Sequence, residues 1–233
     1  MTTYPLYLES GPQRKKTLAH VLDLLGCVVQ ADTTDEAVAA APDTIRAYLR
    51  YLARHGEKVD PDAKIETRVE QHNTEGMFSG QAIWPQDLKP LAPSALARYL
   101  RWLEWSRADL LMLVKSLDDK SMRAKPPKGR ALRDILLHVL GADKSYVYRL
   151  VGPLKAMGEP TNAADRGDLD LRVALKDARA AAIDRLKTLT PAERARVRKA
   201  GQSTHSAYRV IRRMLEHEWE HRREMAVRLG REA

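Results

Sequence analysis

Met214-Leu215-Glu216-His217-Glu218-Trp219-Glu220-His221-Arg222 sets two histidines four residues apart near the end of the chain. On a helix that spacing stacks both side chains on one face, with Cβ atoms about 5–6 Å apart, so two imidazoles can share one ion. The same face carries Val210, Met214 and Met225, and both rings are therefore expected to point inward. Buried polar rings need partners, and a divalent metal is one that both can take. The letters His217-Glu218-Trp219-Glu220-His221 also spell the His-Glu-x-x-His signature of zinc proteases. That chemistry needs a third ligand and a substrate cleft beside a sheet edge, and downstream of His221 the nearby helix offers Glu224 alone as a ligand, with Glu232 about three turns on, so the protease reading is set aside.

A third histidine interrupts an apolar run, Ile135-Leu136-Leu137-His138-Val139-Leu140. Taken alone it reads as a core histidine bonded to a carbonyl. If its helix packs against the one that carries His217 and His221, all three rings can meet in a bundle core, where metal sites are built from inward residues on facing helices. Three imidazoles with open positions suit Zn²⁺, Ni²⁺ or a similar ion. Glu218, Glu220 and Glu224 are candidates to orient the imidazoles from behind, and Tyr146 and Asp143 are candidates to line the pocket.

The surrounding pattern is helical. Leu96, Leu100, Leu103, Leu110, Leu111 and Val114 recur at spacings of three, four and seven, which predicts a helix from Ser94 to about Leu117. Lys125-Pro126-Pro127-Lys128-Gly129 separates it from a second helix over about 131–150, and residues 152–167, with glycine and proline, read as a loop. A third helix is expected over about 169–189. Thr190-Pro191-Ala192-Glu193 is a capping box that predicts a short turn of helix, and the fourth long helix is expected from Ser203-Thr204 to Leu229, stopped by Gly230.

Before residue 73 the pattern differs. Tyr4-Pro5-Leu6-Tyr7-Leu8-Glu9, Lys16 to Val21, Cys27 to Ala31 and Ile65 to Glu70 read as short strands, and Ser10-Gly11-Pro12 as a turn. Thr33-Thr34-Asp35-Glu36 caps an amphipathic helix running to about Arg54. Residues 73–93, with Gly76, Gly80, Pro85, Pro90 and Pro93, read as a linker. The expected organisation is α+β: a small antiparallel sheet with one main helix over 1–72, a linker over 73–93, and an all-α four-helix bundle over 94–233.

Composition narrows the function classes. The 233 residues are 44% hydrophobic and 30% charged, which excludes a disordered chain, and no apolar run is long enough for a membrane span. One cysteine, Cys27, and no basic leader make the cytoplasm the expected compartment. Residues 1–72 hold nine Lys+Arg against eleven Asp+Glu, so the overall charge of +9 becomes −2 there and +11 in the remainder. Arg194, Arg196, Arg198 and Lys199 form a basic run, but without a recognition-helix pattern or interleaved aromatics it reads as a solvated face rather than a nucleic-acid footprint.

The segment Leu132 to His138 together with Met214 to Arg222 resembles the DinB-like superfamily over about residues 94–230. That resemblance implies a metal site of His138, His217 and His221 holding zinc or nickel. It also implies a small-molecule substrate, since some relatives are S-transferases that use a low-molecular-weight thiol. Tyr4 to Glu9, Val21 to Cys27, Asp32 to Ala37 and Ile45 to Leu49 are similar to the HicB-like antitoxin domain, with Leu25 where that family has proline. This second resemblance implies a module for a partner or for a homodimer. The leading expectation is a metal-dependent thiol transferase or hydrolase-like enzyme. The alternative is a non-catalytic binding or regulatory protein using the first module and the basic bundle surface.

Overall fold

The computed structural model describes residues 1–11, 16–75, 82–200 and 203–231. The chain divides into two compact units, Met1–Asp87 and Leu88–Ala233. Pro12, Gly76 and Gly80, used above for a turn and a linker, lie outside the described residues.

In the first unit, strands β1 (Thr2–Glu9), β2 (Thr17–His20), β3 (Val28–Ala31) and β4 (Ile65–Asn73) form one sheet in the order β3-β2-β1-β4. β1 pairs antiparallel with β2, and β2 with β3, as local hairpin-like connections allow. β4 runs parallel to β1, from Thr2 opposite Ile65 to Glu9 opposite Asn73, so the sheet is mixed and the expectation of an antiparallel sheet is corrected. The reason is the crossover: helix α1 (Thr34–Arg54) and the segment after it carry the chain back over the sheet, and β4 enters beside β1 in the same direction.

α1 begins where its cap demands. Thr33 Oγ1 accepts from the Glu36 N–H at 3.2 Å, and Glu36 Oε2 accepts from the Thr33 N–H at 3.0 Å. Its buried side chains, Ala37, Ala41, Thr44, Ile45, Tyr48, Leu49, Tyr51 and Leu52, repeat with the helical period and pack on β2, β3 and β4. Part of the stretch read as linker carries core: Trp84 is fully buried with Tyr7, Leu22 and Ala82, its ring 5.4 Å from that of Tyr7. Gln86 Nε2 donates to Tyr7 Oη at 2.7 Å.

The second unit contains α2 (Pro93–Val114), α3 (Asp119–Arg123), α4 (Leu132–Val151), α5 (Lys155–Arg166), α6 (Leu171–Lys187), α7 (Pro191–Ala195) and α8 (Ala207–Leu229). The long helices α2, α4, α6 and α8 pack in a closed ring, α2 on α6 and α8, and α4 on the same two. Residues 152–167 are not a loop, since they contain α5 despite Gly158 and Pro160. Burial of Met157, Thr161 and Ala164 against α4 and α6 outweighs the weak local propensity. α8 starts later than expected, capped by Ser206, whose Oγ accepts from the Arg209 N–H at 3.1 Å. Ser203–His205 instead form a strand, β6, paired antiparallel with β5 (Arg198–Ala200). Gly230, at φ 61°, ends α8 in the left-handed conformation that favours glycine. Among the described residues no helix is long and apolar enough to cross a membrane.

Because Trp84 fills the first unit's core, Trp84→Ala is expected to cost about 3–5 kcal/mol of that unit's stability. Denaturant unfolding followed by circular dichroism checks this, and an unchanged midpoint would mean that Trp84 is not packed as described.

Candidate metal centre

α4 and α8 lie side by side, which brings His138 on the first to His217 and His221 on the second. One ring nitrogen from each residue can be chosen so that the three atoms lie within 4.8 Å of one another. Ring centroids are 4.7 Å apart for His138 and His217, 5.2 Å for His138 and His221, and 4.6 Å for His217 and His221. His217 is buried, His221 half-buried and His138 exposed, so the group has a closed floor and an open side.

Three nitrogens in this cluster bear on metal binding. The Nε2 atoms of His138 and His217 face each other at 2.9 Å, and His217 Nδ1 is buried without a hydrogen-bond partner. Burial, together with the charges of His221, Arg213, His138 and Arg130, pushes the His217 pKa down to about 2. Burial and Arg130 also lower that of His138. Both rings are thus held neutral at physiological pH with lone pairs available, the form in which imidazole ligates a metal. A nitrogen donor set of this kind fits a borderline divalent ion such as zinc or nickel.

His221 is oriented from behind. Glu224 Oε2 lies 3.0 Å from His221 Nδ1, and the bond to this ring holds the Glu224 carboxyl below the usual carboxylate range. Arg228 donates to the other Glu224 oxygen and, at 2.7 Å, to the Arg130 carbonyl. Gly129, at φ 91°, permits this approach, because a Cβ there would meet Arg228 Nη2 at 2.6 Å. Tyr146 stands edge-on to His217 with centroids 6.1 Å apart. Glu220 is half-buried and faces Arg213; burial opposes the charge on Arg213, but Tyr146, Glu216 and Glu220 outweigh it and raise its pKa.

Glu218 and Asp143 are placed elsewhere. Their hydrogen bonds go to Arg107 of α2 and Arg179 of α6, in a buried cluster that takes one residue from each long helix. Asp143 Oδ2 accepts from Arg107 Nη2 at 2.8 Å and Arg179 Nη2 at 2.7 Å, and Glu218 Oε2 accepts from the same two atoms at 2.5 and 2.7 Å. Burial opposes ionisation of Glu218, but the two guanidiniums prevail and hold its carboxyl below the usual range. A carboxylate so neutralised is no general base, which removes the protease-like reading of His217 to His221. Arg107 and Arg179 were missed in the sequence, although a signal exists: each occupies a position in its helix where the apolar stripe continues, between Leu103 and Leu110 and between Leu175 and Ala182. Arg130 and Arg228, which shape the rim, carry no such signal.

A family model described as the DinB superfamily matches residues 103–225, more than half of the chain and all three histidines. The chain belongs to the DinB superfamily. Neither the curated proteins nor the solved structures gave a match.

Two outcomes follow from this geometry. Arg179→Met leaves two buried carboxylates facing one guanidinium and is expected to cost about 3–5 kcal/mol, measurable as a lowered denaturation midpoint. Glu224→Gln removes the anionic support of His221 and is expected to weaken zinc or nickel binding about 10–100-fold by calorimetric titration, with the fold unchanged.

Proposed function

We propose that this protein is a divalent-metal-dependent enzyme of the DinB type, a four-helix bundle whose His138, His217 and His221 hold zinc or nickel. The observation that carries this reading is the convergence of three imidazoles, open on one side, of which His138 and His217 are held neutral. Structural zinc usually has four protein ligands, and three with an exposed face fit a site that takes a further ligand. When bound, the ion supplies Lewis-acid activation of a thiol, a water or a carbonyl. His217 forms the floor, Glu224 and Arg228 fix the His221 ring, and Tyr146 stands at the side. The Arg130 charge acts on His138, His217 and Glu224, which favours an anionic cosubstrate such as a carboxylated low-molecular-weight thiol. Thiol S-transfer is therefore the preferred reaction and hydrolysis the next. We assign it to the cytoplasm, where its one cysteine, the buried Cys27, stays reduced.

A second reading, a non-catalytic binding protein, draws on the exposed Arg196, Arg198 and Lys199 around β5 and on a HicB-like role for the first unit.

Elemental analysis of the full chain after separate incubation with zinc and nickel tests the site. About one ion per chain is expected, and loss of it in folded His217→Ala; a wild type that takes up neither ion would overturn the proposal. The loaded protein is then expected to consume a carboxylated thiol in the presence of an activated haloarene. Loaded protein that turns over neither this pair nor simple esters would shift the assignment to binding.

A further inference from the structure

β4 is an edge strand of nine residues whose far side, among the described residues, pairs with no other strand. Arg68, Val69, Glu70 and Gln71 are exposed, and Val69 is 45% exposed. An edge of this length with no proline in it is a template for another strand. Its charges decide which strand fits.

One side of β4 carries Ile65, Thr67 and Val69, and the other Glu66 and Arg68, with Lys64 just before the strand and Glu70 at the bulge. Suppose a second β4 lies antiparallel with Thr67 opposite Thr67. Glu66 then faces Arg68 of the second copy and Ile65 faces Val69, each pair occurring twice by symmetry. At these positions each charged residue meets its opposite and each apolar residue an apolar one. Centring the pair one residue later, on Arg68, sets Arg68 against Arg68, so charge favours the register about Thr67 over that one. Among the described residues the same groups pair along the exposed strand, Lys64 with Glu66 at 3.3 Å and Arg68 with Glu70 at 2.7 Å, contacts that cost little to exchange.

We propose that two copies of this chain dimerise through β4, joined antiparallel about Thr67 into a continuous eight-stranded sheet. The contact is isologous, so it closes at two copies. The proposal is independent of the metal centre.

Sedimentation equilibrium of the full chain over a hundredfold concentration range tests it. The wild type is expected to dimerise. Glu66→Arg sets like charges against Arg68 of the second copy, Arg68→Glu does the same against Glu66, and each variant alone is expected to weaken the dimer about tenfold or more. An equimolar mixture of the two variants restores both unlike pairs and is expected to recover dimerisation. Both side chains are exposed, and circular dichroism checks that each variant folds. A monomeric wild type, a dimer indifferent to both reversals, or a mixture that stays monomeric would each overturn the proposal.

Discussion

Four charged side chains, one from each long helix of the second unit, meet where the apolar stripes would otherwise close. Arg107, Asp143, Arg179 and Glu218 are each at most 3% exposed, and two positive and two negative charges cancel locally. Arg107 Nη1 also donates to the Leu175 carbonyl at 2.7 Å and Arg179 Nη1 to the Leu103 carbonyl at 2.9 Å, so the guanidiniums tie α2 to α6 through the backbone as well. Ion pairs like these add little net stability over an apolar core of equal volume, yet each becomes costly to break once buried. Their geometric demand is strict, because every donor needs its acceptor within about 3 Å.

The imidazole cluster depends on that demand. Glu218 directly follows His217, so the helix turns by about 100° between them. With Glu218 committed to the two arginines, the rotation of α8 is set, and His217 and His221 are delivered to the side where α4 presents His138. Glu224, one turn beyond His217's neighbour Glu220, then lies within reach of His221. The polar core and the imidazole cluster are thus two faces of one helix, one closed and neutral, the other open to solvent.

How much of this was legible in the sequence follows from how local each signal is. His217 and His221 sit one turn apart, and His138 interrupts a short apolar run; both are patterns within a few residues, and the three rings were paired correctly on them. The α1 cap, a matter of four residues, was equally plain. The parallel pairing of β1 with β4 spans more than sixty residues and leaves no local trace. α5 was hidden because Gly158 and Pro160 act as breakers until tertiary burial outweighs them. Glu218 was offered as a support for the imidazoles because adjacency in sequence says nothing about which neighbour a helix turns it toward. Arginine at a core position was the overlooked signal.

One property of α8 reaches beyond its chemistry. Over two turns, His217 is committed to His138, Glu218 to two arginines, His221 to Glu224, and Arg222 to Asp109 and the Trp219 ring, 4.8 Å away. No side of this stretch is left idle. Inserting or deleting a single residue would therefore shift the phase of every later commitment at once, with no face able to absorb the slip. A change of length is better absorbed in the connections between helices, while α8 can drift only by substitution, one letter at a time and in fixed register.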